Sequence, residues 1–76
     1  MSNLILFATA GCHLCEQAQR IICSALGQTV AEVDIADRSD LLDCYAVRIP
    51  VLRRVDSGEE LDWPFAIADV LALVGH

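Results

Sequence analysis

Residues 3–18 read NLILFATAGCHLCEQA, and the fold turns on the change of pattern inside them. The stretch NLILFAT is a continuous apolar run, followed by Gly11. Its length and lack of alternation fit a central strand buried on both faces. From Cys12 or His13 onward the period changes. Leu14, Ala18, Ile21, Ile22, Ala25 and Leu26 fall on one face of an amphipathic helix, which Gly27 ends. The next apolar stretch, TVAEVDI, reads as a second strand, so the three elements form a right-handed parallel βαβ unit.

Further along, DRSDLLDCYAV predicts a short helix capped by Asp37 or Ser39. IPVLRRV reads as a third strand and EELD as its partner, joined by Asp56-Ser57-Gly58 with Gly58 available for positive φ. Pro64 suits the first turn of a last helix running through Phe65, Ile67, Ala68, Leu71, Ala72 and Val74. The order is β-α-β-α-β-β-α: an α/β domain with a four-stranded mixed sheet flanked by helices.

Bulk composition bounds the function. The chain has 76 residues, 55% of them apolar, enough for one small domain spanning residues 1–76. Eleven acidic residues against five basic ones give a formal charge of −6. That balance supplies no basic face for nucleic acid and disfavours an anionic membrane surface. No run approaches the ~20 apolar residues of a membrane span. LILFATA imitates a short signal segment, but it has no basic region ahead of it, and cleavage after Ala10 would remove a core strand. The reading places the chain in the cytoplasm, as a monomer. Four cysteines among 76 residues is about 5%, below the ~8–10% of a disulfide-stapled scaffold.

In a reducing compartment the cysteines are catalytic, metal-binding or simply buried. Cys12 falls at a helix N-terminus, where unpaired N–H groups and a partial positive charge favour thiolate, the nucleophilic form. Cys15 lies one turn on, at a separation that meets disulfide geometry with little backbone movement. Cys12 would attack and Cys15 would resolve the mixed disulfide. An imidazolium at His13 would tune the thiolate further; the plainer reading of His13 is an exposed polar residue. A structural zinc site would need more paired spacing than Cys23, Cys44, His13 and His76 offer. Cys23 and Cys44 are expected to be buried, as free cysteines often are.

VRIPVL is the second informative stretch. CHLC after a first buried strand, then VRIPVL before a hairpin and a final helix, resembles the glutaredoxin branch of the thioredoxin superfamily. The likeness covers nearly the whole chain and is greatest with the short bacterial glutaredoxin-like proteins. It implies a thioredoxin-like fold, a cis bond before Pro50 facing the dithiol, and nucleophilic and resolving roles for Cys12 and Cys15. It also implies that the backbone of Ile49 pairs with an extended substrate. Arg48, just ahead of Ile49, is a candidate for binding a substrate carboxylate, its plainer reading being a solvated strand-edge arginine.

The chain departs from the family pattern at several places. His13-Leu14 stands where dithiol glutaredoxins carry Pro-Tyr, Gly11 where thioredoxins have Trp, and Thr9 where glutaredoxins have Lys. Asp62-Trp63-Pro64 replaces a Gly-Gly-acidic start to the last helix. These changes leave the fold implication intact and bear on glutathione as partner. The expectation is a thiol–disulfide oxidoreductase acting on a disulfide-bearing protein or a glutathione mixed disulfide, with no bound cofactor and glutathione as a candidate co-substrate. Two alternatives stand beside it: a non-catalytic protein-binding module, and a metal or iron–sulfur carrier.

Overall fold

Five consecutive apolar residues make strand β1, Leu4–Ala8, and put it in the middle of a four-stranded sheet of order β2-β1-β3-β4. In the computed structural model, which describes residues 3–75, β2 is Ala31–Asp34, β3 is Val51–Arg54 and β4 is Glu60–Asp62. β1 pairs parallel with β2 and antiparallel with β3, and β3 pairs antiparallel with β4. The helices are α1, His13–Leu26; α2, Ser39–Tyr45; and α3, Ile67–Leu73.

Side chains alternate across a strand, and two cores follow from that alternation. Leu4 and Leu6 of β1 and Leu52 of β3 join Ala18 and Ile22 of α1 with Val70 and Leu73 of α3. Phe7 and Val51 point the other way, onto Ile35 and Tyr45. The parallel βαβ unit and the strand buried on both faces are as expected.

Helix α1 begins after Cys12 and ends at Gly27, whose N–H donates to the Cys23 carbonyl and whose φ of 77° then turns the chain out of the helix. Its buried stripe starts at Cys15 and continues through Ala18 and Ile22, while Leu14 is exposed. Leu14 was expected on the inner face. The rest of the expected face holds, with Ala18 and Ile22 buried and Ile21, Ala25 and Leu26 packed on the same core; only in the first turn does Cys15 take the inward place, since a step of one residue turns a side chain by about 100°. Gln19 ties the helix to the start of β2. Its side-chain amide donates to the Val30 carbonyl at 2.9 Å and accepts from the Val30 N–H at 3.2 Å.

Three boundaries differ from the sequence reading. β2 stops at Asp34, because the Asp34 carboxylate accepts the Ala36 N–H at 2.9 Å and starts a 3₁₀ turn at Ile35–Asp37. The residue preceding α2 is Arg38, which makes no side-chain cap bond; Asp37 belongs to the 3₁₀ turn and Ser39 to the helix. α3 starts at Ile67 rather than at Pro64. The Asp69 carboxylate accepts the Ala66 N–H at 2.8 Å, which sets the first turn there, and Trp63–Pro64 is a cis bond ahead of it. Phe65 is therefore outside the helix, although it remains in the core. The hairpin is as expected, with Gly58 at φ 79° and its N–H donated to Arg54. Among the described residues no helix is long and apolar enough to cross a membrane.

Candidate active site

β1 delivers the chain to the cysteine turn, and Gly11 makes the turn. Its φ of 74° lies in the left-handed region, which costs a residue with a side chain about 1–2 kcal/mol. Cys12 then precedes the first residue of α1 and Cys15 falls inside that helix. The two sulfurs are joined, with Cα atoms 5.2 Å apart, inside the range a disulfide requires. The Cys15 N–H donates to Cys12 Sγ at 3.1 Å. Cys15 is buried and Cys12 is partly exposed, so only one of the two sulfurs is open to a partner.

His13 lies in solvent, its side chain 91% exposed, with Nδ1 3.5 Å from Glu16 Oε2. Its charge, when present, is shared with that carboxylate and screened by water. The Cys15 N–H and the helix N-terminus reach Cys12 more directly.

The Ile49–Pro50 bond is cis and Pro50 is buried. Phe7 pairs with Val51. That is the last pair of the β1–β3 register, and Pro50 directly precedes Val51 while Ala8, which ends β1, directly follows Phe7. Ile49 packs against the core of Phe7, Tyr45 and Val51. Its N–H donates to the Tyr45 carbonyl at 3.1 Å, and the Arg48 N–H donates to the same oxygen at 2.8 Å. The expectation that both polar backbone groups of Ile49 would be open to a substrate is therefore corrected: the amide has an internal acceptor.

Arg48 is not a solvated edge residue. Its guanidinium donates to Asp62 at 2.7 Å and to Glu60 at 2.8 Å, and it lies over the Tyr45 ring at 5.1 Å. The Asp62 and Glu60 carboxylates hold it charged well beyond the ordinary arginine range. Tyr45 stacks on Phe7, centroids 4.3 Å apart, and its hydroxyl donates to Glu60 at 2.5 Å. That bond, with burial, pushes the phenol up, and the Arg53 hydrogen bond only partly opposes it. For Glu60, burial pushes upward, but hydrogen bonds from Tyr45 and Arg48 outweigh it and leave the carboxyl below its usual value. Arg53 reaches Glu60 across the hairpin at 3.1 Å, whereas Arg54 pairs with Asp56.

Cys23 and Cys44 are both exposed, contrary to the expectation of burial. Each sits one residue from an inward-facing neighbour, Cys23 beside Ile22 and Cys44 beside Tyr45, and so is turned outward. Among the described residues no three His, Cys, Asp or Glu side chains gather as a metal ion would need; His76 lies outside them.

The model of the glutaredoxin-like domain (DUF836) matches residues 3–75. The chain belongs to this glutaredoxin-like family. Among solved structures, an X-ray structure of target protein XcR50 from X. campestris is 38% identical, with 93% of each chain covered and a TM-score of 0.83. The solution structure of protein Ne2328 from Nitrosomonas europaea is 29% identical, covers 92% of this chain and 86% of its own, and has a TM-score of 0.70. No curated protein matches the sequence. Cys12 and Cys15 lie at disulfide distance at the start of the first helix, an arrangement compatible with a C-x-x-C redox motif. The residues that sequence reasoning missed are Tyr45, Glu60 and Asp62. No local signal marks them, because Tyr45 and Glu60 are 15 residues apart.

Proposed function

We propose that this glutaredoxin-like protein is a thiol–disulfide oxidoreductase that uses Cys12 as nucleophile and Cys15 as the resolving thiol. The observation that carries the reading is the asymmetry of the pair: Cys12 is partly exposed and accepts the Cys15 N–H, whereas Cys15 is buried. A thiolate at Cys12 gains a charge-assisted hydrogen bond and the field of the helix N-terminus, and stays within reach of a substrate.

The cycle balances as follows. The Cys12 thiolate attacks one sulfur of a substrate disulfide, forms a mixed disulfide and expels the other sulfur as thiolate. Cys15, deprotonated, then attacks Cys12 Sγ, forms the intramolecular disulfide and expels the second substrate sulfur. Two electrons pass from the dithiol to the substrate, and a thiol reductant restores the dithiol by the reverse exchange. The substrate class is an extended peptide or protein disulfide, or a glutathione mixed disulfide, passing the Ile49–Pro50 segment. Arg48 lends less to an anionic substrate than expected, because two carboxylates already hold it.

The test is exchange with a fluorescent peptide disulfide and with a glutathionylated peptide, each product mapped by mass spectrometry. Wild-type protein should turn over and end with Cys12 joined to Cys15. Cys15→Ser should accumulate a mixed disulfide on Cys12, and Cys12→Ser should be inert. Inertness of the wild type, or trapping on Cys15, Cys23 or Cys44, would sink the proposal.

A further inference from the structure

The β3–β4 hairpin carries a polar cluster that neither the cysteine motif nor the proline explains. Glu60, on β4, receives donors from three parts of the chain. Tyr45 at the end of α2 and Arg53 of β3 bind Oε2, and Arg48 of the intervening segment binds Oε1. Its side chain is only 20% exposed. The partners are themselves attached to the two segments that frame the site. The Tyr45 carbonyl holds the N–H groups of Arg48 and Ile49. The Tyr45 ring is packed between the Arg48 guanidinium and Phe7, and Phe7 is one residue from the end of β1.

We infer that Glu60 is a positioning residue for substrate docking: it locks Tyr45 and Arg48, and through them sets the Ile49–Pro50 segment against the end of β1. The inference rests on the oxidoreductase reading. Glu60 touches neither sulfur, so it acts on docking rather than on thiol chemistry. On that reading an extended disulfide substrate passes the Ile49–Pro50 segment, and a looser segment costs binding each time it is ordered. A small alkylating reagent needs no such surface.

The experiment compares wild type with Glu60→Gln, which keeps the shape and removes the charge, and with Tyr45→Phe, which removes one donor and keeps the stack. Three readouts are taken on folded protein: KM and kcat for a peptide disulfide, the rate of Cys12 alkylation by iodoacetamide, and amide hydrogen exchange. Glu60→Gln should raise KM about tenfold, equivalent to about 1.4 kcal/mol, with kcat and alkylation within about twofold. The Arg48 and Ile49 amides should exchange faster while those of Leu6 and Leu52 keep their rates. Tyr45→Phe should move the same readouts by less. Unchanged KM, or parallel losses in KM, alkylation and core amide protection, would overturn the positioning role. A wild type inert toward every disulfide would instead remove the oxidoreductase reading and the docking step with it, whatever the amides report.

Discussion

Ile22 joins the helix that presents Cys12 to the sheet behind it, and truncating it tests the packing directly. The side chain is fully buried in one cluster with Leu6, Leu52 and Val70. Ile22→Val removes one methylene, about 0.8 kcal/mol of transfer free energy, and with the residual cavity should cost about 1 kcal/mol. Ile22→Ala should cost about 3 kcal/mol. A chain of this length has a total stability on the order of 4–11 kcal/mol, so the alanine variant loses a large share of it. At roughly 4–8 °C per kcal/mol for a small domain, the midpoints should fall by about 6 °C and about 15–20 °C. The assays are urea and thermal unfolding of the reduced protein followed by the fluorescence of Trp63, the sole tryptophan, which packs against the same cluster. Arg20→Ala, on the exposed side of the same helix, should stay within about 0.5 kcal/mol. A loss below about 1 kcal/mol for Ile22→Ala, with an unchanged urea slope, would refute the packing of α1 on the sheet.

Alkylation of the native reduced protein should modify Cys12, Cys23 and Cys44 readily and Cys15 slowly, since only Cys15 is buried; a peptide map with Cys15 among the fast sites would contradict this. Gly11→Ala should destabilise the protein by about 1 kcal/mol through the φ of 74° alone, as no atom lies within 4 Å of the added methyl; an unchanged unfolding midpoint would show that this turn is not left-handed. The Tyr45–Glu60 pair should shape stability against pH on both sides. Glu60 is held below its ordinary 4.5, so its contribution is present above that value and is lost as pH falls through the folded pKa. Tyr45 is pushed above 10.0, so its contribution is present below 10.0 and is lost as pH rises through the raised value. Glu60→Gln should flatten the acid limb of a pH series of urea midpoints; an acid limb identical to that of wild type would count against the carboxylate bond network.

The elements that sequence made legible are those whose information is local. The run LILFA has no polar face to turn to water, so a doubly covered strand was readable before any partner was known. The helix after it was readable from its period, and its end from Gly27. The spacing of Cys12 and Cys15 placed both sulfurs on one turn. The resemblance carried by CHLC and VRIPVL added the thioredoxin-like fold and the cis bond at Pro50, whereas the spatial order of the strands came only with the structure.

Other features depend on which way a side chain faces once the elements pack. Cys23 and Cys44 sit among apolar neighbours in the sequence but are turned outward, and Leu14 likewise, because one residue of offset rotates a helical side chain out of the core. The start of α3 hung on Asp69 reaching back to the Ala66 N–H rather than on the visible Pro64. By itself, then, the sequence determined the central strand, the first helix and the dithiol turn. Tertiary structure alone decided that Arg48 binds Glu60 and Asp62 rather than solvent, and that the Tyr45 hydroxyl donates to Glu60. Those contacts join residues 12 to 15 positions apart; they exist only because β4 pairs with β3 at the sheet edge while Tyr45, at the end of α2, packs on Phe7 and Val51 of the same sheet, a proximity that no local period encodes.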